Sequence, residues 1–184
     1  EPQRAIAVLE NVLTQNPAEV ALLTALGNLY FAGGQLDEAL EYFRRNSDLQ
    51  PKEVVIQLQT ATTAFLADDY ETFETYMERA LELEPENPHG LKLLATANFR
   101  AQKYKEAAEL YRQALPGMPE DVEIILAMGV CFHNLGDLPT AESCFKRALD
   151  IDPYNTVASE NLKALTNASV QPETEIQSNG HISA

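Results

Sequence analysis

Five prolines, Pro17, Pro51, Pro85, Pro119 and Pro153, stand 34 residues apart each time. A constant period of that length is the signature of a stacked repeat array, and it decides the fold class before any single segment is read. In such an array each unit contacts only its neighbours, so the core is a continuous seam rather than a globule. Each proline closes a helix-like segment through a polar or acidic lead-in, as in Gln15-Asn16-Pro17, Leu83-Glu84-Pro85 and Ile151-Asp152-Pro153. The residue before a proline avoids the α region, which ends the helix there.

Between the prolines, apolar residues recur at the three-and-four spacing of a helix face. The spacing predicts helices over Glu1–Gln15, Val20–Ala32, Leu36–Leu49, Val54–Ala67, Tyr70–Leu83, Pro88–Ala101, Tyr104–Leu115, Val122–Asn134 and Leu138–Ile151. Gly33-Gly34 and Gly136 break the chain between paired helices, because glycine accepts the left-handed conformation. Asp68-Asp69 takes that place in the next unit and supplies a cap for the helix that follows. The array is expected to run over residues 1–166: a half repeat (1–19), four repeats (20–53, 54–87, 88–121, 122–155) and a capping helix over 155–166. Residues 167–184 lose the period, are small and polar, and read as a disordered tail. Asn167-Ala168-Ser169 fits a glycosylation tripeptide that arises often by chance. The chain starts at Glu1 in mid-repeat, which reads as a piece with something upstream missing.

The charge balance narrows the partners. Twenty-eight acidic residues against 13 basic ones give a net charge of −15. Such a surface repels phosphate backbones, so nucleic acid is excluded as a partner and an apolar or basic polypeptide is favoured. No apolar run approaches the roughly 20 residues that span a bilayer, so no membrane insertion is expected, and the reading is cytoplasmic. Cys131 and Cys144 are too few for a disulfide framework or zinc site and read as buried small apolar residues. His89, His133 and His181 have no metal-ligand spacing, and no glycine-rich phosphate loop or strand is present. No enzyme activity, metal or cofactor is expected.

The residues resemble the tetratricopeptide repeat (TPR) family, as a bacterial-type array. Its pattern is a bulky residue, then Leu-Gly and an aromatic on the first helix of a unit. Alanine, an aromatic and alanine follow on the second helix, and then proline. The unit ending at Pro51 carries Leu23, Leu26, Gly27, Tyr30, Ala39 and Phe43, departing at Asn46, where alanine is usual. The unit ending at Pro153 carries Ile125, Met128, Gly129, Phe132, Ala141, Phe145 and Ala148. The unit ending at Pro119 carries Leu91, Leu94, Ala95, Ala107, Tyr111 and Ala114, with Asn98 replacing the aromatic. The resemblance implies an all-α, right-handed α-α superhelix of antiparallel helix pairs. Gly27, Ala61, Ala95 and Gly129 are small where paired helices approach. In the unit ending at Pro85, Phe73 stands where siblings have alanine, facing Thr60, Ala61, Thr62, Thr63 and Ala64. That reads as a volume swap.

The resemblance also implies that the first helix of each unit lines a concave groove. The groove positions are Asn28 and Phe31, then Val55, Leu58, Thr62, Phe65 and Leu66, then Lys92, Thr96, Phe99 and Arg100, and finally Leu126, Val130 and His133. Family members that clamp a C-terminal carboxylate use lysine, arginine and asparagine at set places. Only Asn28 and Lys92 fall near such places, in units too far apart, so this chain departs from that clamp. Glu71, Glu74, Glu78 and Glu82 share one face of a second helix, an acidic outer ridge read as a solvated surface. Three functions follow. The first is a non-enzymatic protein- or peptide-binding scaffold using the groove. The second is a regulatory or substrate-positioning arm of a larger enzyme, such as a glycosyltransferase or methyltransferase. The third is a self-assembly module that forms a homo-oligomer through its repeat ends.

Overall fold

The structure is a computed structural model that describes residues 2–169. The expected disorder of the tail lies outside the described residues from residue 170 onward. The chain divides into two compact units, Glu1–Ala97 and Asn98–Ala184.

The first unit begins with α1 (Pro2–Gln15), α2 (Val20–Ala32), α3 (Leu36–Leu49), α4 (Val54–Leu66) and α5 (Tyr70–Leu83). It takes in most of α6 (Pro88–Arg100), whose last residues open the second unit. There follow α7 (Tyr104–Ala114), a 3-10 turn (Leu115–Gly117), α8 (Val122–Asn134), α9 (Leu138–Ile151) and α10 (Thr156–Ser169). All secondary structure among the described residues is helical, and α2 packs on α3, α4 on α5 and α8 on α9 as antiparallel pairs.

Several boundaries differ from the sequence expectation: the helices expected over 54–67 and 88–101 end one residue early, at Leu66 and Arg100, and the last begins at Thr156 rather than at residue 155. The helix over 104–115 stops at Ala114, because Pro116 has no N–H to continue the ladder and the chain tightens into the 3-10 turn. The last helix runs three residues past Thr166, to Ser169, so Asn167-Ala168-Ser169 lies on a helix rather than in a tail.

The turns inside the pairs show why the period tolerates different residues. Left-handed backbone occurs at Gly34 (φ 74°), Asp68 (φ 56°), Gln102 (φ 59°) and Gly136 (φ 81°), once per repeat. The break is therefore set by the geometry of the helix pair, and two repeats meet it without glycine. Asp69 and Asp137 then cap the following helices by accepting from the backbone N–H of Thr72 (3.1 Å) and Thr140 (3.2 Å). At the first cap the Thr72 hydroxyl leads in holding the Asp69 carboxyl below its usual range, followed by the Thr72 backbone N–H and then the Arg44 guanidinium.

Within each pair the small residues sit where the helices cross. A Cβ built on Gly27 would stand 2.4 Å from Cε1 of Phe43, and one on Gly129 would stand 2.6 Å from Cε1 of Phe145. Both rings are fully buried. In the pair α4–α5, Ala61 and Ala64 share a buried cluster with Phe65, Phe73, Tyr76 and Met77. Phe73 thus fills the room left by the small α4 residues, as the volume swap anticipates. Cys131 is buried and Cys144 half-buried; burial pushes the Cys131 thiol up to about 11, away from thiolate chemistry.

Candidate peptide-binding face

The site is built from first helices, which in the first unit are most of α6, bearing Lys92, and the two helices α2 and α4. The sequences of α2 and α4, VALLTALGNLYFA and VVIQLQTATTAFL, hold no Asp, Glu, Lys or Arg. In a chain of net charge −15 this is a segregation. The carboxylates sit on second helices instead, among them Asp37, Glu38 and Glu41 on α3 and Glu71, Glu74, Glu78 and Glu82 on α5. All seven of those side chains are exposed, and the one base among the α5 acids, Arg79, lies 4.8 Å over the Tyr76 ring.

Asn28 and Gln59 join the two helices. The Gln59 side-chain N–H donates to Asn28 Oδ1 at 2.7 Å. Flanking them, Phe31, Val55 and Leu66 are exposed, Val55 to 73%. Leu58 and Thr62 are half-buried; Leu58 packs on the cluster around Phe73, and the Thr62 hydroxyl donates to its own helix at Leu58 O (2.7 Å). On this face the two amides form the polar pair, and the threonine hydroxyl is engaged with its own helix. Asn28 offers its side-chain N–H groups and Gln59 its Oε1.

Phe65 does not belong to the face. It is 4% exposed, with its ring 5.3 Å from Phe73 and 6.5 Å, edge-on, from Tyr70. Helical spacing alone placed it beside Leu66. Phe73 on the partner helix, standing where the siblings have alanine, draws the ring into the core, where aromatic pairs gain from tilted and edge-to-face contact.

The remaining groove positions fall elsewhere. Lys92 and Thr96 are half-buried on α6, and the Thr96 hydroxyl donates to Lys92 O at 2.8 Å. In the second unit, Phe99 is half-buried with its ring edge-on to Tyr104 at 5.8 Å, and Arg100 is exposed. Leu126 and Val130 are half-buried against the Ala141–Phe145–Leu165 cluster, and His133 is exposed at the end of α8. Val55 and Leu66 are therefore the most exposed apolar residues among the expected groove positions. Gln59, which sequence reasoning passed over, stands with Asn28 as the polar pair; its signal was the absence of charge around it.

Among the described residues no group of three or more His, Cys, Asp and Glu side chains converges to hold a metal ion. No helix among them is long and apolar enough to cross a membrane.

Comparison with known proteins places the fold. The chain is 25% identical over 167 residues to Tetratricopeptide repeat protein 8 of Caenorhabditis elegans, which covers 90% of this chain and 33% of that protein. It is 24% identical over 182 residues to the human Protein O-mannosyl-transferase TMTC1, covering 78% of this chain and 21% of that protein. It thus spans a third or less of the length of these relatives. Among solved structures it superposes on YrrB, described as a TPR protein with an unusual peptide-binding site, with a TM-score of 0.72 at 18% identity over 89% of this chain and 84% of the other. Family profiles described as Tetratricopeptide repeat match residues 1–62 and 98–165, and residues 67–122. Matched over most of its length and built from antiparallel helix pairs in a 34-residue register, the chain belongs to the tetratricopeptide repeat family.

Proposed function

We propose that the chain is a non-enzymatic protein- or peptide-binding scaffold, and that the α2–α4 face of residues 1–97 receives an apolar, uncharged polypeptide segment. The observation that carries this is the absence of charge on two adjoining helices of a strongly acidic chain. A face without carboxylates gives a basic segment nothing to pair with, while Phe31, Val55 and Leu66 offer apolar area. The Asn28 N–H groups and Gln59 Oε1 supply a donor and an acceptor for the backbone of the bound segment. YrrB, a relative by fold, is described as having a peptide-binding site.

Peptide display on the purified chain tests the reading. The expected selection is of apolar sequences poor in Lys, Arg, Asp and Glu, lost on Val55→Glu or Leu66→Glu and weakened by Asn28→Ala. Selection of Lys- and Arg-rich sequences that survive Val55→Glu and fail when the α5 glutamates become glutamines would refute it and move the site to the acidic ridge.

A second reading has one observation in its favour. The similarity to a protein O-mannosyl-transferase extends over 78% of this chain. In that reading the same face positions a polypeptide substrate for an enzyme carried elsewhere in a longer protein.

A further inference from the structure

Four register positions at one repeat boundary depart from their siblings. Asn46 stands where Ala80, Ala114 and Ala148 recur, and Ser47 where Leu81, Leu115 and Leu149 recur. On the next helix Gln57 takes the place of Leu23, Leu91 and Ile125, and Thr60 that of Leu26, Leu94 and Met128. All four are exposed by 1% or less. They lie on α3 and α4, where the first full repeat meets the second, with a complete repeat on either side.

The siblings make apolar boundaries. Leu13 of α1 packs with Leu23 and Leu26 of α2. Leu81 of α5 and Leu94 of α6 pack on the cluster around Met77. Leu115 packs on the cluster that holds Ile125 of α8. Between α3 and α4 the apolar cluster of the second repeat takes in Leu40 of α3, and the sibling leucine places are held by hydrogen bonds. The Ser47 hydroxyl donates to Gln57 Oε1 at 2.8 Å, and the Gln57 side-chain N–H donates to Gln50 O at 3.3 Å. The Thr60 hydroxyl, bonded to Ile56 O of its own helix, also reaches Phe43 O of α3 at 3.4 Å. Polar bonds bridge the rest of this boundary as well. Gln59 joins Asn28 between the first helices, and Arg44 of α3 joins Asp69 (3.2 Å) and Thr72 at the start of α5. Among the described residues no buried side-chain nitrogen or oxygen lacks a partner.

The difference in chemistry acts when a boundary opens. Leucines pulled apart meet water and gain nothing in return. A bonded amide or hydroxyl exchanges its partner for a water molecule, so its net contribution to closure is small. The stability of a linear array is a sum over units and boundaries, and sub-global opening follows the weakest boundary.

We propose that the α3–α4 boundary is a joint, at which the array opens while the helix pairs α2–α3 and α4–α5 stay folded. Opening breaks the Asn28–Gln59 bond and divides α2 from α4, so the joint regulates the face on which a peptide is proposed to bind. That consequence rests on the reading of the face; the joint itself does not.

Thiol labelling of the full chain tests the joint. Thr63 continues the stripe of Gln57 and Thr60 along α4, and its hydroxyl bonds to Gln59 O of its own helix at 2.9 Å. It shares its register position with Cys131 of α8, and both are 0% exposed. Thr63→Cys in a Cys144→Ala background therefore sets one thiol at the joint and keeps Cys131 as its comparison in the same molecule. Each rate is divided by the rate in the urea-unfolded chain. The introduced thiol is expected to react roughly tenfold faster than Cys131. Its rate should also depend less steeply on urea, because the joint exposes less surface than global unfolding. Ser47→Leu with Gln57→Leu gives the boundary its siblings' residues and should slow the labelling towards that of Cys131. Equal rates for the two thiols overturn the proposal. So does fast labelling that the leucines leave unchanged, which marks fraying from a chain end. Should the leucine pair prevent folding, fast labelling as steep in urea as that of Cys131 overturns it. The test uses no ligand, so its failure leaves the peptide face standing, and a failed peptide selection leaves the joint standing.

Discussion

Replacing Gly27 by alanine tests the packing of the repeat at its tightest point. The new methyl carbon would lie 2.4, 2.6 and 2.8 Å from three carbons of the Phe43 ring, where ordinary contact begins at 3.4 Å. The ring has to retreat by about 1 Å, and it is fully enclosed, so the displacement passes to its neighbours. Overpacking of this kind costs about 1–3 kcal/mol. Alanine in a helix interior returns about 1 kcal/mol through propensity. The net expectation is a loss of about 0–2 kcal/mol, measured as a shift of the urea midpoint at constant m. Phe43→Leu in the same background removes the clash, so a double-mutant cycle should show favourable coupling on the order of 1–3 kcal/mol. If Gly27→Ala instead stabilises the protein by about 1 kcal/mol, as it would at an open helix position, the close approach of α2 and α3 is refuted.

Three other outcomes are expected. Gln102→Gly should raise stability by about 0.5–1 kcal/mol, since φ is 59° there and glycine meets that conformation without strain; unchanged or lower stability in urea would count against it. Asn46→Ala restores the residue usual in the family, yet it should destabilise by about 1–3 kcal/mol, because Asn46 is buried, donates to Thr24 Oγ1 (2.8 Å) and accepts from Gln50 (2.8 Å). Tyr30 and Tyr42 should titrate late by phenolate absorbance. The Tyr30 hydroxyl is pushed up to about 12 by its bond to Glu10, and Tyr42 to about 12 by burial and then the same carboxylate. A raised pKa on an acid favours the folded state while the group is neutral. Their contribution is therefore complete below the unfolded value of 10.0 and is lost as pH rises from there through about 12, and Glu10→Gln should move both titrations down.

The proline period and the apolar spacing made the helices legible, and Val20–Ala32, Leu36–Leu49, Tyr70–Leu83, Val122–Asn134 and Leu138–Ile151 coincide with the structure at both ends. Such boundaries depend on local rules, chiefly proline, glycine and caps. The site was less legible because it depends on pairs across helices. Phe65 and Leu66 are neighbours in sequence, but only Leu66 is exposed, and the reason lies at Phe73 on the facing helix. Gln59 reads as an ordinary polar position until Asn28, 31 residues away, is found bonded to it. Asn46 looked like a lapse from the family pattern, whereas the structure gives it two partners and full burial.

The glycine–aromatic crossings limit how such a chain can be rebuilt. Glycine on the first helix goes with phenylalanine on the second at Gly27 and Phe43 and again at Gly129 and Phe145, while Ala61 shares its cluster with the more pliable Met77. Grafting α4 in place of α2 would bring the methyl of Ala61 into the space that the Phe43 ring needs. A single helix is therefore not an exchangeable part. Duplication, recombination or design can copy the helix pair whole, or it must change both helices together.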